Sequence, residues 1–176
     1  PTATASNSGP VCYDITSITA NETGGEAVSW SWTSNGSAAF STATSQNPTV
    51  TGFVDGEILT VNIVDANGCT SSATTTVTVY EEPTANAGAD ATINCTNTTA
   101  QLTATGGVSY SWSPALGLSA TNIANPVADP NSTTTYTVTV TAANGCTAQD
   151  SVEITVDETP PTANAGADAT INCTNT

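Results

Sequence analysis

The feature that most constrains this chain is an internal repeat. Residues 83–98 and 161–176 carry the same letters, PTANAGADATINCTNT. The segment ILTVNIVDANGCTSSATTTVTV at 58–79 is similar, though not identical, to TYTVTVTAANGCTAQDSVEITV at 135–156. Because similarity at a fixed period marks one structural unit copied along a chain, the fold of one copy should describe the others.

The repeat divides the chain into three parts. We assign a first repeat to 1–82, a second repeat to 83–160 and the first strand of a third repeat to 161–176. We expect that the chain is a segment of a longer tandem array. Alternatively, the last strand leaves its own repeat and adds to the sheet of a neighbouring chain.

Apolar and polar residues alternate in several segments of each repeat. A period of two predicts strands with one face buried and one in solvent, about seven short strands per repeat. The alternating positions are Val28, Trp30, Trp32, Leu59, Val61 and Ile63 in the first repeat, and Val108, Tyr110, Trp112, Tyr136, Val138, Val140, Val152, Ile154 and Val156 in the second. No long stretch has the spacing of an amphipathic helix.

An Asn-Gly pair lies between the last two predicted strands of each repeat, at Asn67-Gly68 and at Asn144-Gly145. Asn-Gly is the strongest short signal for a β-hairpin. Together with the strand pattern, it predicts an all-β fold of tandem antiparallel β-sandwich modules. The Pro-rich junctions limit bending, so we expect the modules to be arranged as a rod.

The charge composition excludes several functions. The chain has 15 Asp and Glu residues and no Lys, Arg or His. It therefore lacks the cations that neutralise nucleic-acid phosphates or anionic lipids, and no run approaches the roughly 18 apolar residues of a membrane span. Without His or Lys it also lacks the usual partners that activate a nucleophile. We expect no nucleic-acid binding, no membrane insertion and no enzymatic activity.

The five cysteines occupy repeated positions. Cys12 and Cys69 lie in the first repeat, and Cys95 and Cys146 match them in the second. Modules of this size are marginal alone, so we predict disulfides Cys12–Cys69 and Cys95–Cys146, each stapling one end of its own sandwich. Cys173 matches Cys12 and Cys95, and we expect its partner to lie outside the segment. Stapled cysteines imply an oxidising compartment, hence a secreted or surface protein.

The succession TANAGADATINC, LTATGG, YSWSPALGLS, TTTYTVTVT, NGC and DSVEITV resembles the PKD-like, immunoglobulin-like repeats of very large surface proteins of gliding and related bacteria. The resemblance covers the second repeat end to end and the first more loosely. It implies an extracellular, bacterial spacer, stalk or adhesive fibre. It also implies a candidate O-glycan acceptor at Ser151, since Asp150-Ser151-Val152 matches the acceptor pattern of that bacterial group.

Acidic residues gather at the junctions between repeats. Calcium takes six to eight oxygen ligands, so a junction that brings such residues together is a candidate calcium site that would stiffen the rod. The alternative is a solvated, charged linker, and otherwise we expect no cofactor. The candidate residues are Glu81, Glu82, Asp90, Asp157, Glu158 and Asp168.

Four aromatic residues, Trp30, Trp32, Tyr110 and Trp112, lie two apart in matching strands. Spacing of two puts each pair on one face of a sheet. We predict that Trp32 and Trp112 anchor the two cores, whereas a sugar-stacking platform would leave the rings exposed.

The sequence therefore favours a structural or adhesive role. We expect a segment of a secreted tandem-repeat cell-surface stalk, adhesin or extracellular filament, whose partners are further copies of itself and, in an adhesin, surface glycans. The alternative is a carbohydrate-binding or spacer module of a secreted polysaccharide-degrading enzyme. Exposed aromatic rings would favour the alternative, and buried rings would favour the stalk.

Overall fold

The structure is a computed structural model that describes residues 1–13, 17–160 and 162–168. Every regular element in these ranges is a β-strand. Within the same ranges, none of the chain forms a helix with the length and hydropathy needed to cross a membrane. Of the segment 161–176, predicted to form the first strand of a third repeat, residues 162–168 belong to no strand, and residues 161 and 169–176 lie outside the described part.

The first repeat folds into nine described strands. They form one antiparallel sheet in the order β1-β3-β6-β5, a second antiparallel sheet in the order β4-β7-β8, and a parallel pair β2-β9. The strands are β1 (Ser6–Asn7), β2 (Val11–Cys12), β3 (Ser17–Asn21), β4 (Ala27–Ser34), β5 (Ala39–Phe40), β6 (Thr49–Thr51), β7 (Ile58–Asp65), β8 (Thr70–Thr76) and β9 (Val79–Tyr80).

The second repeat uses six strands for the same plan. One sheet has the order β10-β15-β14-β12, with β10 parallel to β15 and the other pairs antiparallel, and β11 pairs with β13 opposite it. The strands are β10 (Ala91–Asn94), β11 (Ala100–Gln101), β12 (Ser109–Ser113), β13 (Val127–Ala128), β14 (Thr134–Thr141) and β15 (Thr147–Asp157). The predicted all-β, immunoglobulin-like sandwich is confirmed.

The number of strands differs from the prediction of about seven in each repeat. The last strand of the second repeat, β15, is continuous, whereas its counterpart in the first repeat is divided into β8 and β9 at Val77-Thr78. The first repeat also divides its opening strand into β1 and β2, on either side of Gly9-Pro10. Proline has no N–H to donate to a ladder, so it interrupts a strand at this point.

The alternation places most of its apolar residues in two separate cores. The first core lies around Trp32, Leu59, Val61 and Ile63. The second collects Trp112, Tyr136, Val138, Val140, Val152 and Ile154 between its two sheets. Each core draws its buried residues from one repeat only.

Two residues of the alternating pattern do not point inward. Val28 is 61% exposed and Val108 is 70% exposed, although alternation predicts burial for both. Val28 lies where the register of β4 shifts, between Ala27 and Ser29. Val108 lies just before β12, which begins at Ser109, although its N–H still donates to the Thr141 carbonyl at 2.8 Å.

The predicted Asn-Gly hairpins are confirmed. β7 and β8 pair antiparallel around Asn67-Gly68, and β14 and β15 do so around Asn144-Gly145. Gly68 has φ +81° and Gly145 has φ +88°, in the left-handed region that glycine adopts without a steric cost. The two turns therefore share one backbone conformation of glycine at equivalent positions.

The two core tryptophans fasten a loop as well as fill a core. Trp32 is 2% exposed and donates from Nε1 to the Ser45 carbonyl at 3.1 Å. Trp112 is 3% exposed and donates to the Ile123 carbonyl at 2.9 Å. Because each ring satisfies its N–H at an equivalent loop, the burial leaves no polar atom unpaired.

The first repeat contains two buried carboxylates. Glu57 is 3% exposed and accepts from Ser34 Oγ, from Ala38 N–H at 2.7 Å and from Val54 N–H at 3.0 Å. A Cβ at Gly36 would lie 2.7 Å from the Glu57 carboxyl carbon, so this glycine leaves the space that the carboxylate occupies. Burial acts to raise the pKa of Glu57, but the hydrogen bonds outweigh it and the net pKa is lowered.

Glu22 is the other buried carboxylate. It is fully buried and accepts from Trp30 Nε1 at 3.0 Å and from the Gly24 and Thr4 N–H groups. Burial acts to raise its pKa, and the hydrogen bonds from Trp30, Gly24 and Thr4 again outweigh burial, so the pKa is lowered. Both carboxylates therefore connect segments of the first repeat that are far apart in sequence.

Substitution of Glu57 should destabilise the first repeat. In Glu57→Gln, an NH₂ donor replaces one of the two carboxylate oxygens, so buried N–H groups that donate to that oxygen lose their acceptor. We expect a loss of about 2 kcal/mol in the free energy of opening, measured by hydrogen exchange of the buried β7 amides. Glu26→Gln, at an exposed position of the same repeat, is the matched control and should change little. Equal effects of both substitutions would contradict this role.

The stability of the first repeat should also depend on acid. Because Glu22 and Glu57 have lowered pKa values in the folded state, the unfolded state binds more protons once pH falls below the ordinary value of 4.5. Stability is therefore complete above that value and decreases as pH falls from it towards the lowered folded pKa values. Denaturant titrations between about pH 6 and pH 3 should give a shallower decrease for Glu57→Gln than for the natural chain. If the free energy of unfolding fell equally steeply with pH in both proteins, the lowered pKa of folded Glu57 would be contradicted.

Candidate functional site: the junction between the repeats

The parallel strand pair β2-β9 places Cys12 at one end of the first repeat. Cys12 lies opposite Tyr80 in the register, and Tyr13 N–H donates to the Tyr80 carbonyl at 3.0 Å just beyond the pair. Tyr80 ends the last strand of the repeat, so Cys12 lies where the chain leaves this repeat for the next. We call this the distal end of the repeat.

The hairpin between β14 and β15 brings Cys146 to the same point. Ala142 N–H donates to the Cys146 carbonyl at 2.8 Å, and Gly145 N–H donates to the Ala142 carbonyl at 3.0 Å. Asn144 Oδ1 accepts from Cys146 N–H at 3.0 Å. These bonds fix the cysteine on a rigid turn, which we call the hairpin end of the repeat.

A disulfide joins these two ends. Cys12 and Cys146 are bonded, with 5.6 Å between their Cα atoms, across 134 residues of sequence. That Cα separation is typical of a disulfide. Beside it, Asn144 Nδ2 donates to the Glu81 carbonyl at 3.1 Å, and Cys146 is 1% exposed. The distal end of the first repeat is thus covalently attached to the hairpin end of the second.

This bond replaces both predicted pairings. Cys12 is not bonded to Cys69, nor Cys95 to Cys146, and the thiols of Cys69 and Cys95 are free and exposed. Cys173 lies outside the described residues.

The physical reason is the length of the last strand. The extended path from Cys69 to Tyr80, which lies opposite Cys12, spans roughly 35 Å at about 3.3 Å per residue. A disulfide needs Cα atoms within about 7 Å. The two cysteines of one repeat are therefore at opposite ends of it, and only a neighbouring repeat can supply a partner.

An open pocket of about 510 Å³ lies at the distal end of the first repeat. Its lining includes Tyr13, which is 78% exposed, and Val54, which is 56% exposed, together with Tyr80. Asp55 Oδ1 accepts from Val79 N–H at 2.7 Å and holds this loop to the last strand. Sequence reasoning missed Tyr13 and the contact of Asn144 with Glu81, although Tyr13 directly follows Cys12 and Asn144 precedes Cys146 by two residues.

The acidic residues at the junctions do not form a common cluster. Among the described residues, no three Asp, Glu, His or Cys side chains are placed to hold a metal ion together. Asp90 Oδ1 accepts from Glu153 N–H at 2.8 Å, and Asp157 Oδ1 accepts from Thr159 N–H at 2.9 Å. Hydrogen bonds from Thr159 lower the pKa of Asp157. The remaining acidic candidates at the junctions, Glu81, Glu82, Glu158 and Asp168, are exposed.

The remaining candidate residues are placed as follows. Ser151 is exposed on β15, with its hydroxyl 2.9 Å from that of Thr137. Trp30 and Tyr110, the neighbours of the buried tryptophans, are half-buried. Each has its polar atom engaged, Trp30 with Glu22 and Tyr110 with the Gly107 carbonyl at 2.9 Å. The four rings therefore do not form an exposed platform.

No protein-family model matches the chain, and no curated protein matches it. Among solved structures, it is similar to the C-terminal 282-residue fragment of intimin in complex with the intimin-binding domain of its receptor Tir, with 15% identity and a TM-score of 0.46. The match covers 85% of this chain and 62% of the intimin fragment, so the chain spans less than two thirds of that fragment.

Two further solved structures illustrate the same similarity. The N-terminal Ig1-2 module of the Drosophila receptor tyrosine phosphatase DLAR has 14% identity and a TM-score of 0.34, covering 87% of this chain and 98% of that module. A Ca²⁺-stabilised, ice-binding adhesin of an Antarctic bacterium has 18% identity and a TM-score of 0.40, covering 80% of this chain and 43% of the adhesin.

Removal of the disulfide should loosen the junction and leave the repeats folded. In Cys146→Ser, the hydrogen bond between Asn144 and Glu81 is the remaining one that crosses between the described residues of 1–82 and 83–160. One such bond is worth about 1 kcal/mol, too little to fix two modules. We expect unchanged circular dichroism and a broader distribution of distances between spin labels on the two repeats. The exposed Cys69→Ser is the control and should leave the distribution narrow. A narrow distribution of label distances in both variants would contradict the view that the Cys12–Cys146 bond fixes the junction.

Proposed function

We propose that this chain is a structural and adhesive segment of a secreted series of immunoglobulin-like modules, forming a bacterial cell-surface stalk, adhesin or extracellular filament. The observation that carries the proposal is the bond between Cys12 and Cys146. It fastens the end of one module to the hairpin of the next, which is what a load-bearing series of domains requires and what a freely jointed spacer lacks.

The chemistry of that bond supports a location outside the cytoplasm. Disulfides persist in oxidising compartments. In the bonded pair, Cys12 is half-buried and Cys146 is buried. The net charge of −15 supports solubility and opposes lateral aggregation of neighbouring chains. The role is non-enzymatic, with further copies and surface glycans as the proposed partners.

The buried tryptophans favour this role over a carbohydrate-binding module of a polysaccharide-degrading enzyme. Sugar stacking needs an exposed aromatic face, and Trp32 and Trp112 offer none. Calcium at the junctions stays a prediction from the acidic residues. A rise in melting temperature on adding millimolar-range Ca²⁺ after chelation would support it, and an unchanged melting temperature would reject it.

Electron microscopy of natively purified, unreduced material tests the function. We expect extended fibres or strings of modules with a regular axial period, because the covalent junction limits bending. Material treated with a thiol reductant is the control and should bend more at the junctions. Compact particles that bind polysaccharide would overturn the proposal in favour of the carbohydrate-binding alternative.

A further inference from the structure

The exposed thiols of Cys69 and Cys95 lie at opposite ends of the pair of repeats. Cys69 occupies the hairpin end of the first repeat, and Cys95 occupies the distal end of the second. In the junction between the repeats, a distal cysteine is bonded to a hairpin cysteine. We propose that Cys95 of one copy and Cys69 of a second copy form the same disulfide, so that copies join head to tail. This inference rests on the proposed structural function.

The hairpin end of the first repeat is built like the one already bonded. Asp65 N–H donates to the Cys69 carbonyl at 3.0 Å, and Gly68 N–H donates to the Asp65 carbonyl at 3.0 Å. The corresponding bonds around Cys146 are 2.8 Å and 3.0 Å. The two backbone turns therefore place Cys69 and Cys146 alike, although Cys69 N–H donates to Asp65 Oδ1 and Cys146 N–H donates to Asn144 Oδ1. Cys69 is exposed, whereas Cys146 is covered by the neighbouring repeat.

The distal end of the second repeat resembles the receiving side, with its cysteine one residue further along the chain relative to the last strand. β10 runs parallel to β15 and ends at Asn94 opposite Asp157, as Cys12 lies opposite Tyr80 in the first repeat. Cys95 follows one residue later at the same end. An open pocket of about 580 Å³ lies there, lined by Cys95 and by segments 129–131 and 156–160. Those segments are the counterparts of the ones that line the pocket beside Cys12.

Cys95 is exposed among the described residues at the distal end of the second repeat. Residues 162–168, which continue the chain beyond it, are exposed and belong to no strand. The second copy would therefore not have to break a described ladder to dock. A head-to-tail contact of this kind is heterologous, and such contacts extend into open filaments unless the rotation closes a ring. The partner that we propose is a second copy, because its hairpin end carries Cys69 on a backbone turn like that of Cys146.

The bond requires an oxidant, and a small-molecule disulfide such as oxidised glutathione supplies it. A Cys69 thiolate attacks oxidised glutathione and releases one glutathione thiolate. The Cys95 thiolate of the second copy then attacks the Cys69 sulfur of the mixed disulfide and releases the second glutathione. Two protein thiols are oxidised to one disulfide while one glutathione disulfide is reduced to two thiols, so electrons and protons balance.

Mixing two variants that each keep the Cys12–Cys146 bond and one free cysteine tests the polarity of the contact. Both carry Cys173→Ser; one also carries Cys69→Ser and presents Cys95, and the other carries Cys95→Ser and presents Cys69. In a buffer of reduced and oxidised glutathione, we expect the mixture to form a disulfide-linked dimer. We expect each variant incubated alone to remain monomeric. A parent with Cys173→Ser only should form a ladder of multimers. Digestion after acidic residues, without reduction, should recover a Cys69 peptide linked to a Cys95 peptide.

The internal bond provides the control for folding. The peptide pair Cys12–Cys146 should be present in every sample, which shows that each variant is folded and correctly oxidised. Dimers in either variant alone, or no dimer in the mixture with that pair present, would overturn the head-to-tail contact. Neither result affects the proposed function, which fails separately if the native material is compact and binds polysaccharide.

Discussion

The pairing of the first strand with the last, in parallel, is the constraint on which the arrangement of this molecule depends. Parallel strands end at the same edge, so a cysteine at the end of β2 or β10 lies beside the end of the last strand. The hairpin cysteine lies where that same strand begins. Each repeat therefore carries one cysteine at each end, and the length of one strand separates them. A bond within a repeat is geometrically excluded, and a bond between repeats follows.

The two repeats reach the same fold with different polar anchors. In the first, buried Glu22 accepts from Trp30, and buried Glu57 ties together loops around Ser34 and Val54. The second repeat has Ala104 at the position of Glu22 and Tyr110 at the position of Trp30, whose hydroxyl donates to a backbone carbonyl instead. Where the first repeat has the carboxylate of Glu22 and its donor Trp30, the second has the apolar Ala104 and a tyrosine, Tyr110, whose hydroxyl needs no carboxylate partner. Such paired differences are expected where a buried charge is tolerated only with its partners present.

Much of the fold can be predicted from sequence because its signals are local. Alternation around Leu59, Val61 and Ile63 specifies a face, and Asn-Gly followed by Cys specifies a turn, whatever the rest of the chain does. The disulfide cannot be predicted in this way. It depends on whether β2 runs parallel or antiparallel to β9, a long-range property that no short window contains. The exposure of Val28 and Val108 has a similar origin, since it depends on where a ladder begins.

A covalent junction also fits the charge of the chain. With no cation among its side chains, the chain has no opposite side-chain charges with which to attract a neighbouring module, and like charges repel over roughly 8 Å at physiological ionic strength. Hydrogen bonds such as that from Asn144 to Glu81 add little against this repulsion. A disulfide is indifferent to salt and to net charge, so it holds two acidic modules together where side-chain electrostatics would separate them.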